Sequence, residues 1–162
     1  MRKQKGFSLI ELLIVVAIIL IIAAIAIPNL MRSRMAANEA SAVGSVRTIN
    51  TAEVTYSSAY PDVGFTTTLS NLAGAASACG GTSSTASSTQ ACLIDAVLGS
   101  GTKSGYNFAL ANGAGTPNNT FTDNADPVTP GQSGQRHFFS DQTGVIRYNQ
   151  SSAAGTGDSP LQ

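Results

Sequence analysis

From Leu12 to Ile27 the chain carries no polar side chain at all. Read back to Phe7, the apolar stretch is twenty-one residues with Ser8 and Glu11 as its only polar members. As a helix it spans ~32 Å, which matches the hydrocarbon core of a bilayer. The last hundred residues are instead dominated by Gly, Ser, Thr, Ala and Asn. A chain of 162 residues with this division suits one compact domain in water plus one segment in lipid.

The formal net charge of zero hides a similar asymmetry. Arg2, Lys3 and Lys5 place three of the nine basic residues ahead of the apolar run, which favours keeping that end in the cytoplasm and the remainder outside. Without residues 1–6, six basic side chains face nine acidic ones. A mildly acidic domain gives no footprint for nucleic acid.

Pro28 follows the apolar run and should kink the helix, because it lacks an N–H and its ring crowds the carbonyl four residues back. From Asn29 to Ala59 the helical pattern becomes amphipathic. Ala42, Val46, Ile49, Tyr56 and Tyr60 share one stripe, and Arg32, Arg34, Asn38 and Arg47 fit the exposed sides. Tyr60-Pro61-Asp62 should stop the helix. Residues 61–105 read as a loop-rich connector with a short helix over Ala91–Leu98. Strands are expected over Tyr106–Leu110, Thr120–Thr122, Arg136–Phe139 and Val145–Tyr148. The last two are joined as a hairpin through Ser140-Asp141-Gln142-Thr143-Gly144, and the tail from Ser151 is expected to be loose.

Cys79 and Cys92 enclose twelve residues, mostly Ser, Thr and Gly. In an exported domain this reads as a disulfide closing a loop; the alternative is a reduced, buried pair. The absence of a CxxC or a second cysteine pair speaks against zinc.

The chemistry of the N-terminus centres on Gly6, Phe7 and Glu11. A glycine leaves the peptide bond after it unencumbered, and a cut there would leave the Phe7 amine as a cation at the edge of an apolar layer. Glu11 is costly in lipid, where an acid at a helix centre costs on the order of 3 kcal/mol. A carboxylate on one helix meeting an amine on the next relieves both penalties and fixes the register between helices.

The run Gly6-Phe7-Ser8-Leu9-Ile10-Glu11-Leu12-Leu13-Ile14-Val15-Val16-Ala17-Ile18-Ile19 resembles the processing and assembly segment of type IV prepilins and of type II secretion pseudopilins. The resemblance is close over residues 1 to about 30. It implies cleavage between Gly6 and Phe7 by a membrane-embedded prepilin peptidase, N-methylation of Phe7, and Glu11 as the acid that meets the N-terminal amine in a filament core. Where many members carry a glycine partway along the helix, this chain has Leu20. The implied partners are the peptidase, identical or related subunits, an inner-membrane assembly platform and, before assembly, the lipid bilayer.

Two plainer readings account for part of the pattern. An ordinary secretory signal peptide fits Met1 to Lys5 and the small residues of Ala24-Ile25-Ala26, and a simple anchor fits the greasy helix; neither gives Glu11 a purpose. Support for catalysis is thin. His137 is expected at an exposed or edge position of its strand, nothing gathers a Ser-His-Asp set, and no Gly-rich stretch has phosphate-loop or dinucleotide spacing. Asp123 and Asp126, near Asn118, Asn119 and Asn124, offer oxygens for a calcium ion, with solvated loop acids as the alternative. Asn118-Asn119-Thr120 and Asn149-Gln150-Ser151 have the N-glycosylation pattern, a weak signal.

The expected architecture is an α+β ladle. Residues 1–6 form a leader, 7–27 the transmembrane and assembly half of one helix, 28–60 its amphipathic half, 61–105 the connector, and 106–162 a small antiparallel sheet and tail. The expected function is that of a structural subunit with no catalytic residue, metal or cofactor. It would begin as a single-pass protein of the bacterial inner membrane and end in a surface pilus serving adhesion, motility or DNA uptake. The alternative is a periplasmic pseudopilus for protein secretion.

Overall fold

The computed structural model describes residues 6–75, 79, 86–113 and 115–161. By internal contacts the chain divides into two compact units, residues 1–34 and 35–162. Helix α1 (Leu9–Ala59) supplies residues to both and continues through Pro28. Apart from Gly6, the expected leader lies outside the described residues.

Within the first unit the apolar side chains have nothing to bury against. Phe7 is 86% exposed and Leu9 80%, and Ile10 through Ile27 follow the same pattern. An aqueous solvent would not tolerate so large a continuous apolar surface, and the segment is long and apolar enough to cross a membrane.

In the second unit the amphipathic stripe holds. Ala42, Val46 and Ile49 are fully buried and Tyr56 nearly so, while Tyr60 packs partly buried against them with its ring centroid 4.9 Å from that of Tyr56. Arg32, Arg34 and Arg47 are exposed. Asn38 is not: half-buried, it donates through Nδ2 to the Ser133 carbonyl at 2.8 Å, so it is a contact and not a solvated side. Helix α1 stops where Pro61 would have to continue it. The Tyr60 carbonyl then accepts from Val63 and Gly64, both at 3.0 Å, in a tight turn. Gly64 has φ +77° and lies against the Asn118 backbone, where an added Cβ would overlap the carbonyl. No other residue type fits that approach.

A six-stranded antiparallel sheet runs in chain order: β1 (Thr102–Lys103), β2 (Tyr106–Asn112), β3 (Phe121–Pro127), β4 (His137–Asp141), β5 (Arg147–Asn149) and β6 (Ser159–Pro160). All four expected strands are present. The β4–β5 hairpin pairs His137 with Asn149 and Phe139 with Arg147. Strand β3 runs five residues beyond Thr122, because Phe121, Asp123 and Ala125 all alternate inward although one of them is an acid. The core joins Val46, Ile49 and Tyr56 of α1 to Tyr106, Phe108, Ala125 and Phe138 of the sheet.

Two further expectations change. The helix over Ala91–Leu98 shrinks to α3 (Ala96–Gly99), with Asp95 as its N-cap accepting from the Leu98 N–H at 2.9 Å. Ala91, Ile94 and Leu98 are buried at helical spacing. The N–H groups of Ala91, Cys92 and Leu93 nevertheless donate to the carbonyls of Asn71, Ala73 and Leu72 at 2.7–2.8 Å, beside α2 (Leu69–Leu72), and Cys92 sits at φ +57°. Tertiary backbone pairing overrides periodicity here. The tail is also ordered. Asp158 accepts from Asn149 Nδ2 and from the Gly155 N–H, β6 pairs with β5, and Asn124 Nδ2 holds the Ala154 carbonyl over the face of the sheet where Phe139 is buried.

Cys79 and Cys92 form a disulfide. It links the segment after α2 to the strand-like run at Ala91–Leu93. Replacing both cysteines by Ser is expected to destabilise the second unit by up to about 3 kcal/mol through lost loop-closure restraint. Urea unfolding of the oxidised wild type against the double variant measures it, and thiol labelling of unfolded, unreduced protein should find no free cysteine.

Candidate assembly segment and polar sites

At the start of α1, Ser8 occupies the N-cap position and Glu11 the third helical position. The Ser8 N–H donates to Glu11 Oε2 at 3.0 Å, and the Leu12 N–H reaches the Ser8 carbonyl at 3.3 Å. This is one half of a capping box, in which an N3 acid satisfies an orphan donor at the helix start. The acid also sits where the helix dipole favours negative charge. The signal, Ser-x-x-Glu ahead of an apolar run, was available in the sequence and gives Glu11 a local partner within its own chain. Gly6 and Phe7 lie outside the helix and are exposed.

The other residues singled out from sequence are scattered. Asp123 and Asp126 belong to one strand three positions apart, so alternation sends them to opposite faces. Asp123 is fully buried, and Asp126 Oδ1 lies 2.6 Å from His137 Nδ1. They do not converge on one ion, and among the described residues no three acidic, His or Cys side chains cluster as metal ligands. His137 is not at a sheet edge either. Its strand β4 lies between β3 and β5, and its side chain is largely covered. Asn118 Nδ2 donates to the Phe65 carbonyl, and Asn149 is bonded to Asp158 and the Ser151 N–H. Both amides that a glycan would need are engaged in structure.

Sequence reasoning missed two carboxylates of α1. Glu39 is buried, its Oε1 accepting from the N–H groups of Gln135 and Arg136 and its Oε2 from Arg136 Nε at 2.7 Å. Burial alone would raise its pKa; the Gln135 and Arg136 hydrogen bonds and the guanidinium charge outweigh it, and the carboxyl is held below its usual value. Glu53 is fully buried, accepts from the Thr66 N–H at 2.9 Å, and is pushed up to about 7 by burial against that hydrogen bond. A charged side chain on an amphipathic helix ordinarily marks its exposed side, so neither stands out in the sequence.

The exposed apolar helix with an acid in its first turn, beside an α+β unit of one helix on an antiparallel sheet, is consistent with a membrane-anchored protein. Residues 1–27 match the prokaryotic N-terminal methylation motif. The chain is 64% identical over 39 residues to the type IV wide pilus major component PilA4 of Thermus thermophilus, covering 24% of this chain and 30% of that protein. It is 43% identical over 54 residues to the type IV major pilin protein PilA of Myxococcus xanthus, covering 33% and 24%. Over 52 residues it is 52% identical to a fimbrial protein of Pseudomonas aeruginosa, covering 32% and 34%. The matches thus span a quarter to a third of these relatives' lengths. No solved structure matches the chain. Motif, relatives and the α+β layout support a type IV pilin.

Proposed function

We propose that the protein is a prepilin, cut between Gly6 and Phe7, N-methylated at Phe7 and polymerised into a type IV pilus. The observation that carries this reading is the methylation motif lying over an apolar helix that is exposed along its length and interrupted by one acid, Glu11. Such a surface needs lipid before assembly and the same helix of other subunits afterwards. Glu11 would exchange its Ser8 N–H for the Phe7 amine of a neighbouring subunit, and Pro28 would bend the helix where it leaves the apolar layer.

The role is that of a scaffold and not an enzyme. Its partners would be a prepilin peptidase, an inner-membrane assembly platform and further pilin subunits, the N-terminus facing the cytoplasm until export. The pilus is favoured over a secretion pseudopilus by the relatives, which are pilus and fimbrial proteins, and by the divergence of Asp123 and Asp126. The outer surface of the filament would be the Ser-, Thr- and Gly-rich second unit, suited to adhesion, motility or DNA uptake.

Intact mass and N-terminal analysis of the envelope protein, with electron microscopy of sheared surface material, test this. The expected result is methylated Phe7 at the N-terminus of subunits recovered in filaments. An N-terminus at Ile27 would instead mean an ordinary signal peptide, and uncut protein held in the membrane would mean a plain anchor.

A further inference from the structure

Between α1 and the sheet of the second unit lie four buried side-chain oxygens without a hydrogen-bond partner: Asn50 Oδ1, Glu53 Oε1 and both carboxylate oxygens of Asp123. They belong together. Asn50 and Glu53 are one helical turn apart on the face of α1 that meets the sheet, and Asn50 Nδ2 donates to Ser140 Oγ at 2.8 Å. Ser140 is the cross-strand partner of Asp123, so both share the inner face. Asp123 and Ser140 are fully buried, as is Glu53. Every orphan is an acceptor, and leaving such groups unsatisfied away from water is costly.

The surroundings supply no cation. From the sheet, Asp123 is flanked by Leu110 of β2 and Ser140 of β4. From α1 it faces Glu53, whose charge acts on it. From the segment after α1, Glu53 receives the Thr66 N–H, and the Tyr56 hydroxyl beside it donates to the Ser88 carbonyl. Among the described residues, no Lys, Arg or His acts on either acid. A hard metal ion is a poor fit, since among the described residues no three acidic, His or Cys side chains gather here as ligands.

We propose that this cluster is a proton-binding site. Asp123 stays protonated at neutral pH and donates its O–H to an orphaned acceptor, Glu53 Oε1 or Asn50 Oδ1, so that the hold of α1 on the sheet weakens as pH rises. One proton turns an acceptor into a donor and settles two orphans at once. Burial acts in the same direction, raising Asp123 well above the usual carboxylate range. The sign is that of groups raised in the folded state: their stabilisation is complete below the unfolded values near 4 and is lost as pH rises through the folded ones. For Glu53, about 7 against 4.5, this alone changes the folding equilibrium by about 200-fold between pH 4 and pH 8. The site is independent of the filament reading.

The test uses the full-length protein in detergent. Infrared difference spectra at pH 7 should show protonated carboxyl absorption that Asp123→Asn reduces and that persists in Glu53→Gln. Urea unfolding of the wild type should weaken from pH 4.5 to pH 8 relative to Asp123→Asn and to Glu53→Gln, each of which supplies a permanent amide donor and flattens the slope. Two variants guard against one failing to fold. Absence of the carboxyl band, an unchanged pH slope in both variants, or a stabilisation by calcium that chelation reverses would overturn the proposal, the last by making the cluster a metal site.

Discussion

Glu11→Ala is expected to abolish filaments while leaving membrane insertion and cleavage intact. Insertion should proceed at least as well, since an acid has been removed from lipid, and Gly6 and Phe7 are unchanged for the peptidase. The Phe7 amine of each subunit would lose its partner, and an unpaired buried charge costs several kcal/mol at every contact along the polymer. The capping bond from the Ser8 N–H to Glu11 offers a rival explanation, because Ala would also lose that cap, at about 1 kcal/mol. Glu11→Gln separates the two. Glutamine keeps the N3 side of a capping box and carries no charge, so it should fail to assemble as Ala does. Comparing processed subunit in membranes with subunit in sheared filaments decides it. Normal filament yield from Glu11→Gln would make Glu11 a helix cap and nothing more.

How far the fold was legible depends on what each residue contributes locally. The apolar run announces itself by its length without a polar residue, and the stripe Ala42, Val46, Ile49 and Tyr56 because burial follows a period of 3.6 in the second half of α1. The β4–β5 hairpin is equally readable, since Asp141, Thr143 and Gly144 supply turn chemistry between two apolar runs. Asp141 Oδ1 accepts from the Thr143 N–H, and Gly144 sits at φ +73°. What escaped was set by distant partners. Ala91, Ile94 and Leu98 carry helical spacing, yet the N–H groups of Ala91 to Leu93 belong to the carbonyls of Asn71, Leu72 and Ala73 at the end of α2. The tail from Ser151 looks featureless until Asp158 is placed beside Asn149 and Gly155. Buried acids are the hardest to foresee. Glu39, Glu53 and Asp123 lie at positions where charge argues for solvent, and nothing within four residues of Glu39 names Arg136, ninety-seven positions away. For the proposed assembly segment, Gly6, Phe7 and Glu11 stand out in the sequence, and so does the Ser-x-x-Glu signal of the capping bond, which went unread.

The polar clamp at Glu39 yields the second large effect: Glu39→Ala should destabilise the second unit by about 3–5 kcal/mol. Three donors converge on this carboxylate, the N–H groups of Gln135 and Arg136 and the Arg136 guanidinium, and alanine would leave all three without an acceptor. The guanidinium is committed further, its central carbon 5.5 Å from the Phe138 ring centroid and 5.6 Å from that of Tyr148. It cannot turn to water without giving up those faces. Glu39→Gln, which retains an acceptor of the same reach, should cost less. The pH dependence has a defined sign. Glu39 is held below its ordinary value of 4.5, so its stabilisation is present above that pH and is lost as pH falls through the folded value. Glu53 works in the opposite direction, its stabilisation being lost as pH rises from 4.5 through about 7, so the two acids give the wild type one limb falling toward acid and one falling toward alkali. Urea midpoints of full-length protein in detergent from pH 3 to pH 8 measure both limbs. Glu39→Gln should flatten the acid limb and leave the alkaline one in place. An acid limb as steep in Glu39→Gln as in the wild type would mean that the clamp does not set it.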